Sequence, residues 1–307
     1  NSTESKGDAQ MARNIVKAKL DIIFKKLFTD DGDNELLIGL LDAILELPED
    51  EKIADIQITK NELMPDSPDG KVSRLDLNVK LQSEKDKTEN KYRLINVEIQ
   101  LNQRSDYAER ALFYWSKLFT GSLKSGDAYS ELPMTISLNI LGYSMFPERE
   151  QYHSIYVPKE EKHNDVLTDK FSLQFFELEK LNHRKTNLQS KKERWLRFLN
   201  AETEEELDML ETAKDSTLDK AITKLKYFSE NEQLRFDAIS REKYINDQAS
   251  LERSAKLAGR AEGEAVGLKK GRAEGRAEGR AAERAEIIAK MKKKGLSDAE
   301  ISAIMDI

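Results

Sequence analysis

Apolar and polar residues alternate in two segments, 74–81 and 92–101, with the period of two that is typical of β-strands. The charged connection between them is short enough for the two strands to pair. On the polar side of such a pair, Asp76 and Glu98 come to the same surface, and Gln100 is the next residue after Glu98 on that face. The apolar positions that define the pattern are Leu75, Leu77, Val79 and Leu81, followed by Ile95, Val97, Ile99 and Leu101.

Apolar residues at helical spacing occur on both sides of this strand pair. Segments 18–28 and 34–47 predict two amphipathic helices, the second ended by Pro48, and 106–122 predicts a third. Further strands are predicted at 53–63, 134–141 and 170–178. Strands with helices before and between them indicate an α/β protein with a mixed sheet flanked by helices.

The C-terminal part of the chain has a different pattern. From residue 186 onward the apolar spacing is helical, and glycine recurs every four residues from Gly259 to Gly279, interleaved with Arg-Ala-Glu units. Each interior glycine costs a helix about 0.5–1 kcal/mol relative to alanine. The glycines nevertheless form one stripe that a second helix can approach closely. Two interpretations stay open: self-association into a dimer or larger homo-oligomer, or a solvated low-complexity arm that frays.

These patterns predict a division of the chain into five parts. Gly295, followed by Ser297 with Glu300 three residues later, gives the end of one helix and the start of another near the C-terminus. The expected parts are a tag or disordered tail at 1–10, a sheet-containing domain at 11–183, a helical subdomain at 184–258, a glycine-repeat helical arm at 259–284, and a short helix-turn-helix-like end at 285–307.

Composition and charge narrow the function classes. With 57 acidic and 50 basic residues the net charge is −7, so any contact with nucleic acid has to be local. The absence of cysteine excludes disulfide and thiolate metal sites. Because no apolar run approaches 18 residues, we expect a soluble cytoplasmic protein without membrane insertion. There is no phosphate-binding glycine loop, so a nucleotide cofactor is not expected. We expect the histidines at the surface, and they share no metal-ligand spacing: His153, His163 and His183.

The paired carboxylates are the strongest chemical signal in the chain. If Asp76 and Glu98 are held close together, they repel unless a proton or a cation lies between them. Mg²⁺ is held in proteins by one or two carboxylates together with water and substrate phosphate. The pattern therefore predicts a metal site for phosphodiester chemistry, and solvated surface charge is the alternative.

Five segments in this order, followed by the Gly/Arg/Glu tail, carry a resemblance to a known family: 19–28, 74–77, 96–100, 109–118 and 176–180. Together they resemble the PD-(D/E)XK nuclease superfamily, and within it the bacterial PD-(D/E)XK transposase and Rpn (recombination-promoting nuclease) families. The resemblance extends over most of residues 12–307. Two positions depart from the superfamily pattern, because Leu75 stands where the name-giving proline would be and Gln100 stands at the usual lysine.

The resemblance implies a restriction-endonuclease-like fold and a Mg²⁺-dependent endodeoxyribonuclease linked to DNA recombination, transposition or defence. Asp76 and Glu98 would bind Mg²⁺, with Mn²⁺ as a substitute, and the backbone carbonyl of Ile99 would be a further ligand. Gln100 would orient the attacking water or the phosphate. Asp21 would complete the metal shell.

Several alternatives stay open at this stage. Asp21 can instead form an exposed ion pair with Lys25, four residues later on the same helix. Lys25, Arg110 and Tyr114 are expected to contact nucleic acid, but Arg110 can equally pair with a carboxylate while Tyr114 packs. At the level of the whole protein, the alternative is a catalytically weak nuclease-fold protein that acts as an oligomeric interaction or DNA-binding module. RNA as the substrate also stays open.

Overall fold

The structure is a computed structural model that describes residues 14–30, 32, 34–59, 62–63, 73–74, 77–89 and 91–305. The predicted tail at 1–10 and Asp76 lie outside the described residues. The chain divides into two compact units, the first ending at Ile245 and the second beginning at Asn246.

The sheet lies in the first unit. The described strands are β1 (Ile53–Thr59), β2 (Glu62–Leu63), β3 (Ser73–Arg74), β4 (Leu77–Ser83), β5 (Arg93–Gln100), β6 (Met134–Leu141), β7 (His153–Tyr156) and β8 (Phe171–Glu177). Six of them form one mixed sheet in the order β1-β4-β5-β6-β8-β7, while β2 pairs with β3. The central strands β5, β6 and β8 are parallel, and β4 runs antiparallel to both of its neighbours, β1 and β5.

The described helices follow the amphipathic segments of the sequence. They are α1 (Asp21–Thr29), α2 (Glu35–Leu45), α3 (Glu84–Thr88), α4 (Tyr107–Thr120), α5 (Lys191–Asn200), α6 (Glu204–Glu211), α7 (Ser216–Glu230), α8 (Glu232–Lys293) and α9 (Asp298–Met305). Side-chain caps fix the starts of several of them, because a capping oxygen satisfies an otherwise unpaired backbone N–H. Ser190 caps α5, Asp215 caps α7, and Thr203 with Glu206 forms a capping box on α6.

The main core lies between one face of the sheet and the helices α1, α2, α5, α6 and α7. Alternation along the strands buries Val97 of β5 and Leu138 of β6 in this core, where both side chains are fully shielded. Trp195 of α5 packs beside Phe28 of α1, with ring centroids 6.4 Å apart. A smaller core on the other face of the sheet contains residues of α4, β6 and β8. The sheet is therefore covered on both faces over its central strands.

The mixed sheet flanked by helices and the long C-terminal helix confirm the predicted fold class. Some boundaries differ from the predictions. The expected strand at 53–63 is two elements, β1 and β2, and Ile58 is exposed although Ile56 is buried. The charged connection before β5 contains α3, which begins at a capping box made by Ser83 and Asp86. Strand β7 was not predicted, because its four residues acquire their strand geometry by pairing with β8.

In the second unit, the glycine repeat is continuously helical within α8. No described atom outside its own helix backbone lies within 4 Å of a Cβ added at any glycine from Gly259 to Gly279. Gly295 has the positive φ of +87° that favours glycine, and it ends the helix before Ser297 caps α9. Arg284 Nη2 donates to the carbonyl oxygen of Met305 at 3.2 Å, so α9 folds back on the end of α8. No helix within the described residues is both long and apolar enough to cross a membrane.

Candidate metal and nucleic-acid site

Glu98 lies near the C-terminal end of β5 and is only 7% exposed. Its neighbours along the strand, Val97 and Ile99, point towards the main core, so the Glu98 side chain lies on the opposite face. In the parallel pairing of β5 with β6, Glu98 is opposite Asn139. The predicted metal ligand is therefore a carboxylate shielded from bulk water, with a polar residue as its cross-strand neighbour.

Hydrogen bonds fix the side chain of Asn139. Tyr107 Oη, from the start of α4, donates to Asn139 Oδ1 at 3.1 Å, and Asn139 Nδ2 donates to the carbonyl oxygen of Gln174 at 3.0 Å and to Ser137 Oγ at 3.2 Å. All four residues are buried. A fully bonded buried amide keeps one orientation, since breaking its bonds in a region of low dielectric is costly. The surface around Glu98 is therefore rigid and polar.

The second predicted metal ligand, Asp76, lies outside the described residues. The pairing of β4 with β5 is described from Leu77, which is opposite Val97. The approach of Asp76 to Glu98 stays a prediction.

Gln100 connects the end of β5 to the loop that follows it. Its Nε2 donates to the carbonyl oxygen of Asn102 at 2.8 Å, and the Asn102 Nδ2 donates to the carbonyl oxygen of Ile245 on α8 at 3.0 Å. On the other side, the Gly142 N–H donates to the carbonyl oxygen of Gln100 at 2.9 Å. The side-chain amide of Gln100 is thus hydrogen-bonded to the backbone of Asn102. Its role in orienting water or phosphate stays a prediction.

Asp21 is the first residue of α1 and forms a two-bond ion pair with Arg241 of α8. Arg241 Nε donates to Asp21 Oδ1 at 2.8 Å, and Arg241 Nη2 donates to Asp21 Oδ2 at 2.7 Å. Both carboxylate oxygens therefore bind Arg241, rather than Lys25 as in the alternative considered from the sequence. Lys25 lies one turn further along α1 and is partly exposed.

The residues of α4 that were expected to contact nucleic acid differ in accessibility. Tyr114 is only 8% exposed, and the guanidinium of Arg110 lies over its ring at 4.6 Å from the centroid. This arrangement agrees with the alternative in which Tyr114 packs. Arg110 is partly exposed, and its contact with nucleic acid stays a prediction.

The sequence predicts that all three histidines are exposed, and this is wrong for His153. His153 is partly buried, its ring stacks on Phe176 with centroids 4.2 Å apart, and it shares a hydrogen bond with Gln174 Oε1 at 3.0 Å. Burial, and then the nearby charge of Lys192, lower the pKa of His153. The spacing of the histidines had suggested no metal ligands, but one described cluster brings His163 together with carboxylates. The ligand atoms of His163, Glu160 and Asp165 lie within 4.8 Å of one another, on the exposed loop between β7 and β8.

Comparison with protein families agrees with this architecture. A family model described as PD-(D/E)XK nuclease family transposase matches residues 18–255. The chain belongs to this family. In this PD-(D/E)XK transposase-family protein, the match includes the sheet with Glu98, the helices α1 to α7 and the start of α8. Membership supports a nuclease-like function, and nucleases of this class usually use divalent metal ions. No curated protein and no solved structure matches the chain significantly.

Two residues of the site were not identified from the sequence of this PD-(D/E)XK protein. Asn139 lies on a predicted strand, and the alternation of that strand shows that it shares a face with Thr135 and Ser137. Its place beside Glu98 depends on the parallel register of β5 and β6. Arg241 gives no signal in the sequence, because it is 220 positions away from Asp21.

Proposed function

We propose that the protein is a Mg²⁺-dependent DNA endonuclease in which Glu98 and Asp76 hold the metal ion. The observation that carries the proposal is the shielded carboxylate of Glu98, within a chain that belongs to a nuclease family. Hard carboxylate and carbonyl oxygens are the donors that Mg²⁺ prefers. A carboxylate shielded from bulk water attracts a cation more strongly than an exposed one, because the interaction is less screened. The residues on this surface therefore fit a divalent cation.

The register of β4 and β5 supports the inclusion of Asp76. Leu77 is opposite Val97 in an antiparallel pair. In the sequence, Asp76 directly precedes Leu77 and Glu98 directly follows Val97. An antiparallel register that continues by one residue brings their side chains to one surface.

The remaining residues have distinct roles in this proposal. When bound, a divalent cation neutralises charge on the scissile phosphate and makes a water molecule more acidic. The backbone carbonyl of Ile99 supplies a further oxygen donor, and Gln100 orients water or phosphate by exchanging its bond to Asn102. The rigid amide of Asn139 keeps the surface beside Glu98 fixed. DNA is the substrate, with a role in recombination, transposition or defence.

Nicking of supercoiled plasmid tests this function. The purified protein is incubated with Mg²⁺, Mn²⁺, Ca²⁺ or EDTA, beside the variants Asp76→Asn and Glu98→Gln. Nicking is expected with Mg²⁺ or Mn²⁺ and absent in EDTA, and both variants should lose it, because each replaces a carboxylate by a neutral amide of the same shape.

Two results would contradict the proposal. Equal nicking by both variants would show that the cleavage does not come from this site. Absence of cleavage of DNA and of RNA with every metal would favour the alternative, a catalytically weak interaction module.

We also propose that the protein self-associates through the glycine stripe from Gly259 to Gly279, which lies in the arm at 259–284. Two observations support this. The glycines weaken an isolated helix, and ion pairs such as Arg260 with Glu264, at 2.9 Å, offset this by only a few tenths of a kcal/mol each. The arm alone is therefore marginally stable, and packing against a second helix would stabilise it. The open space around each glycine suits the close approach of a second helix.

Sedimentation equilibrium tests the association. A double variant with Gly267→Leu and Gly271→Leu fills the stripe and is expected to form a smaller oligomer than the unchanged protein. The control, with Ala265→Leu and Ala273→Leu, places two leucines away from the stripe and should keep the larger mass. The same mass for all three proteins would exclude the stripe as the interface.

A further inference from the structure

The ion pair between Asp21 and Arg241 is linked through α8 to the end of β5, the strand that carries Glu98. Arg241 and Ile245 are one turn apart on α8, a rise of about 6 Å. Ile245 accepts the hydrogen bond from Asn102, and Asn102 in turn accepts the hydrogen bond from Gln100. These contacts therefore join the turn of α8 that carries Arg241 to the end of β5, two residues beyond Glu98.

The start of α8 is a fixed part of the first unit. Ala238 is buried in the main core, and Leu234 and Ile245 pack against it. Lys17 Nζ donates to Glu242 Oε1 at 2.5 Å. Burial lowers the pKa of Lys17, but Glu242 and Glu202 raise it more, so the net pKa is raised and the lysine stays charged. Release of this segment would break apolar and ionic contacts together, so the position of Arg241 is stable.

The guanidinium of Arg241 combines a fixed orientation with access to solvent. Asp21 holds it through two parallel bonds, and its centre lies 5.2 Å from the centroid of the Tyr244 ring. The side chain is nevertheless 35% exposed. Gln100, the last residue of β5, is neutral. The positive charge that this series of contacts links to the end of the strand is therefore that of Arg241 on α8.

We propose that Arg241 binds a backbone phosphate of the nucleic acid, and that Asp21 is a positioning residue that holds its guanidinium. The inference rests on the proposed nuclease function and replaces the expected role of Asp21 as a metal ligand. Asp21 binds the Nε–Nη2 edge of the planar guanidinium, and its Nη1–Nη2 edge is a second fork that matches the oxygens of a phosphate. Orientation by a carboxylate lowers the entropy lost when the phosphate binds.

Binding to a labelled DNA duplex, measured by fluorescence anisotropy in EDTA and again in Ca²⁺ over a series of salt concentrations, tests the inference without cleavage. Arg241→Ala should weaken binding about tenfold, since a charge-assisted hydrogen bond is lost. It should also reduce the slope of log K against log salt by about 0.9, the value for one phosphate contact. Arg241→Lys should restore the slope but only part of the affinity, because lysine keeps the charge without the fork.

Two further variants make the test specific. Arg235→Ala removes an exposed arginine from the same helix and should leave the salt slope unchanged. Asp21→Asn removes a negative charge, which by electrostatics alone would tighten binding to DNA. If Asp21 positions Arg241, Asp21→Asn should weaken binding instead, already in EDTA, where metal binding has no part.

The outcomes separate this inference from the proposed function. If the unchanged protein nicks plasmid and Arg241→Ala binds DNA with the same affinity and slope, the inference is overturned while the nuclease function stands. An equal loss of slope in Arg235→Ala, or tighter binding by Asp21→Asn, would also overturn it. A loss specific to Arg241→Ala in a protein that cleaves nothing would support the phosphate contact and contradict the nuclease function. Failure of the unchanged protein to bind in either buffer would contradict both.

Discussion

The hydroxyl of Tyr107 donates a buried hydrogen bond to the amide of Asn139, the cross-strand neighbour of Glu98. Tyr107→Phe removes this donor and leaves Asn139 Oδ1 buried without it. An unsatisfied buried acceptor costs about 1–3 kcal/mol, so we expect a lower free energy of unfolding by that amount in urea denaturation. Tyr129→Phe is the matched control, because Tyr129 is exposed and should show no change. Equal stability of Tyr107→Phe and the unchanged protein would contradict the described network.

His153 links stability to pH. Burial comes first and the charge of Lys192 second among the causes that lower its pKa below the ordinary value of 6.5. The hydrogen bond with Gln174 and, after it, the charge of Glu46 act in the opposite direction, but the net pKa is lowered. The folded state therefore binds the proton less readily than the unfolded state. The contribution of neutral His153 to the free energy of unfolding is fully present above pH 6.5, and it is lost as the pH falls towards the folded-state pKa.

His153→Phe keeps a ring against Phe176 but cannot bind a proton. Between about pH 7.5 and about pH 5.5, its free energy of unfolding should fall less than that of the unchanged protein. Urea denaturation at both values measures this difference. Identical pH dependence in the two proteins would show that His153 does not titrate differently on folding.

The sequence predicts which side chains share a strand face, because that depends only on neighbours along the chain. Glu98 and Gln100 share a strand face because side chains alternate along a strand. The partner of Asp21 was not predictable in this way, because local spacing favoured Lys25 on the same helix. The observed partner, Arg241, reaches Asp21 through the packing of α8 on the core, and no periodicity in the sequence encodes that contact.

Glycine has opposite effects in the two helices α2 and α8. A Cβ added at Gly39 of α2 would lie 2.6 Å from Thr217 Cγ2 on α7 and 2.9 Å from Trp195 Cζ2 on α5. At Gly267 of α8 the same Cβ meets open space. The close packing of α2 on α5 and α7 therefore requires glycine, whereas α8 does not require it for its own fold.

Alanine substitutions at these two glycines should change stability in opposite directions. Gly39→Ala should destabilise the first unit, because the clash exceeds the gain in helix propensity of about 1 kcal/mol. Gly267→Ala should stabilise its helix by about 0.5–1 kcal/mol. Thermal denaturation measures the effect of Gly39→Ala, and amide hydrogen exchange in α8 measures the effect of Gly267→Ala. Stabilisation by Gly39→Ala would contradict the described packing.

Elements with long amphipathic patterns were predicted well, and short ones were not. The strand expected at 134–141 has those bounds in the structure, because its apolar positions alternate over eight residues. The four-residue strand β7 carries too few positions for a pattern and exists through its pairing with β8. The charged segment before β5 looked like a plain connection, although the Ser83 and Asp86 capping box starts a short helix there.

At the scale of the whole molecule, the two units differ in what stabilises them. The first unit has a continuous core of apolar side chains from the sheet and the surrounding helices. In the second unit, Ile301 is a described apolar residue that is buried, whereas most of the α8 surface is exposed. From the sequence, a solvated arm and a self-associating helix were both open for the glycine repeat. The predicted domain boundaries stay predictions.

The rate of Mg²⁺-dependent plasmid nicking by Glu98→Gln, compared with that of Glu109→Gln, shows whether the Glu98 carboxylate takes part in cleavage. Both substitutions remove one carboxylate, but Glu98 is buried on β5 whereas Glu109 is exposed on α4. The proposed function predicts a loss of at least about 100-fold for Glu98→Gln, corresponding to about 2.7 kcal/mol of barrier, and an unchanged rate for Glu109→Gln. Equal rates for the two variants would show that the carboxylate of Glu98 is not part of the catalytic site.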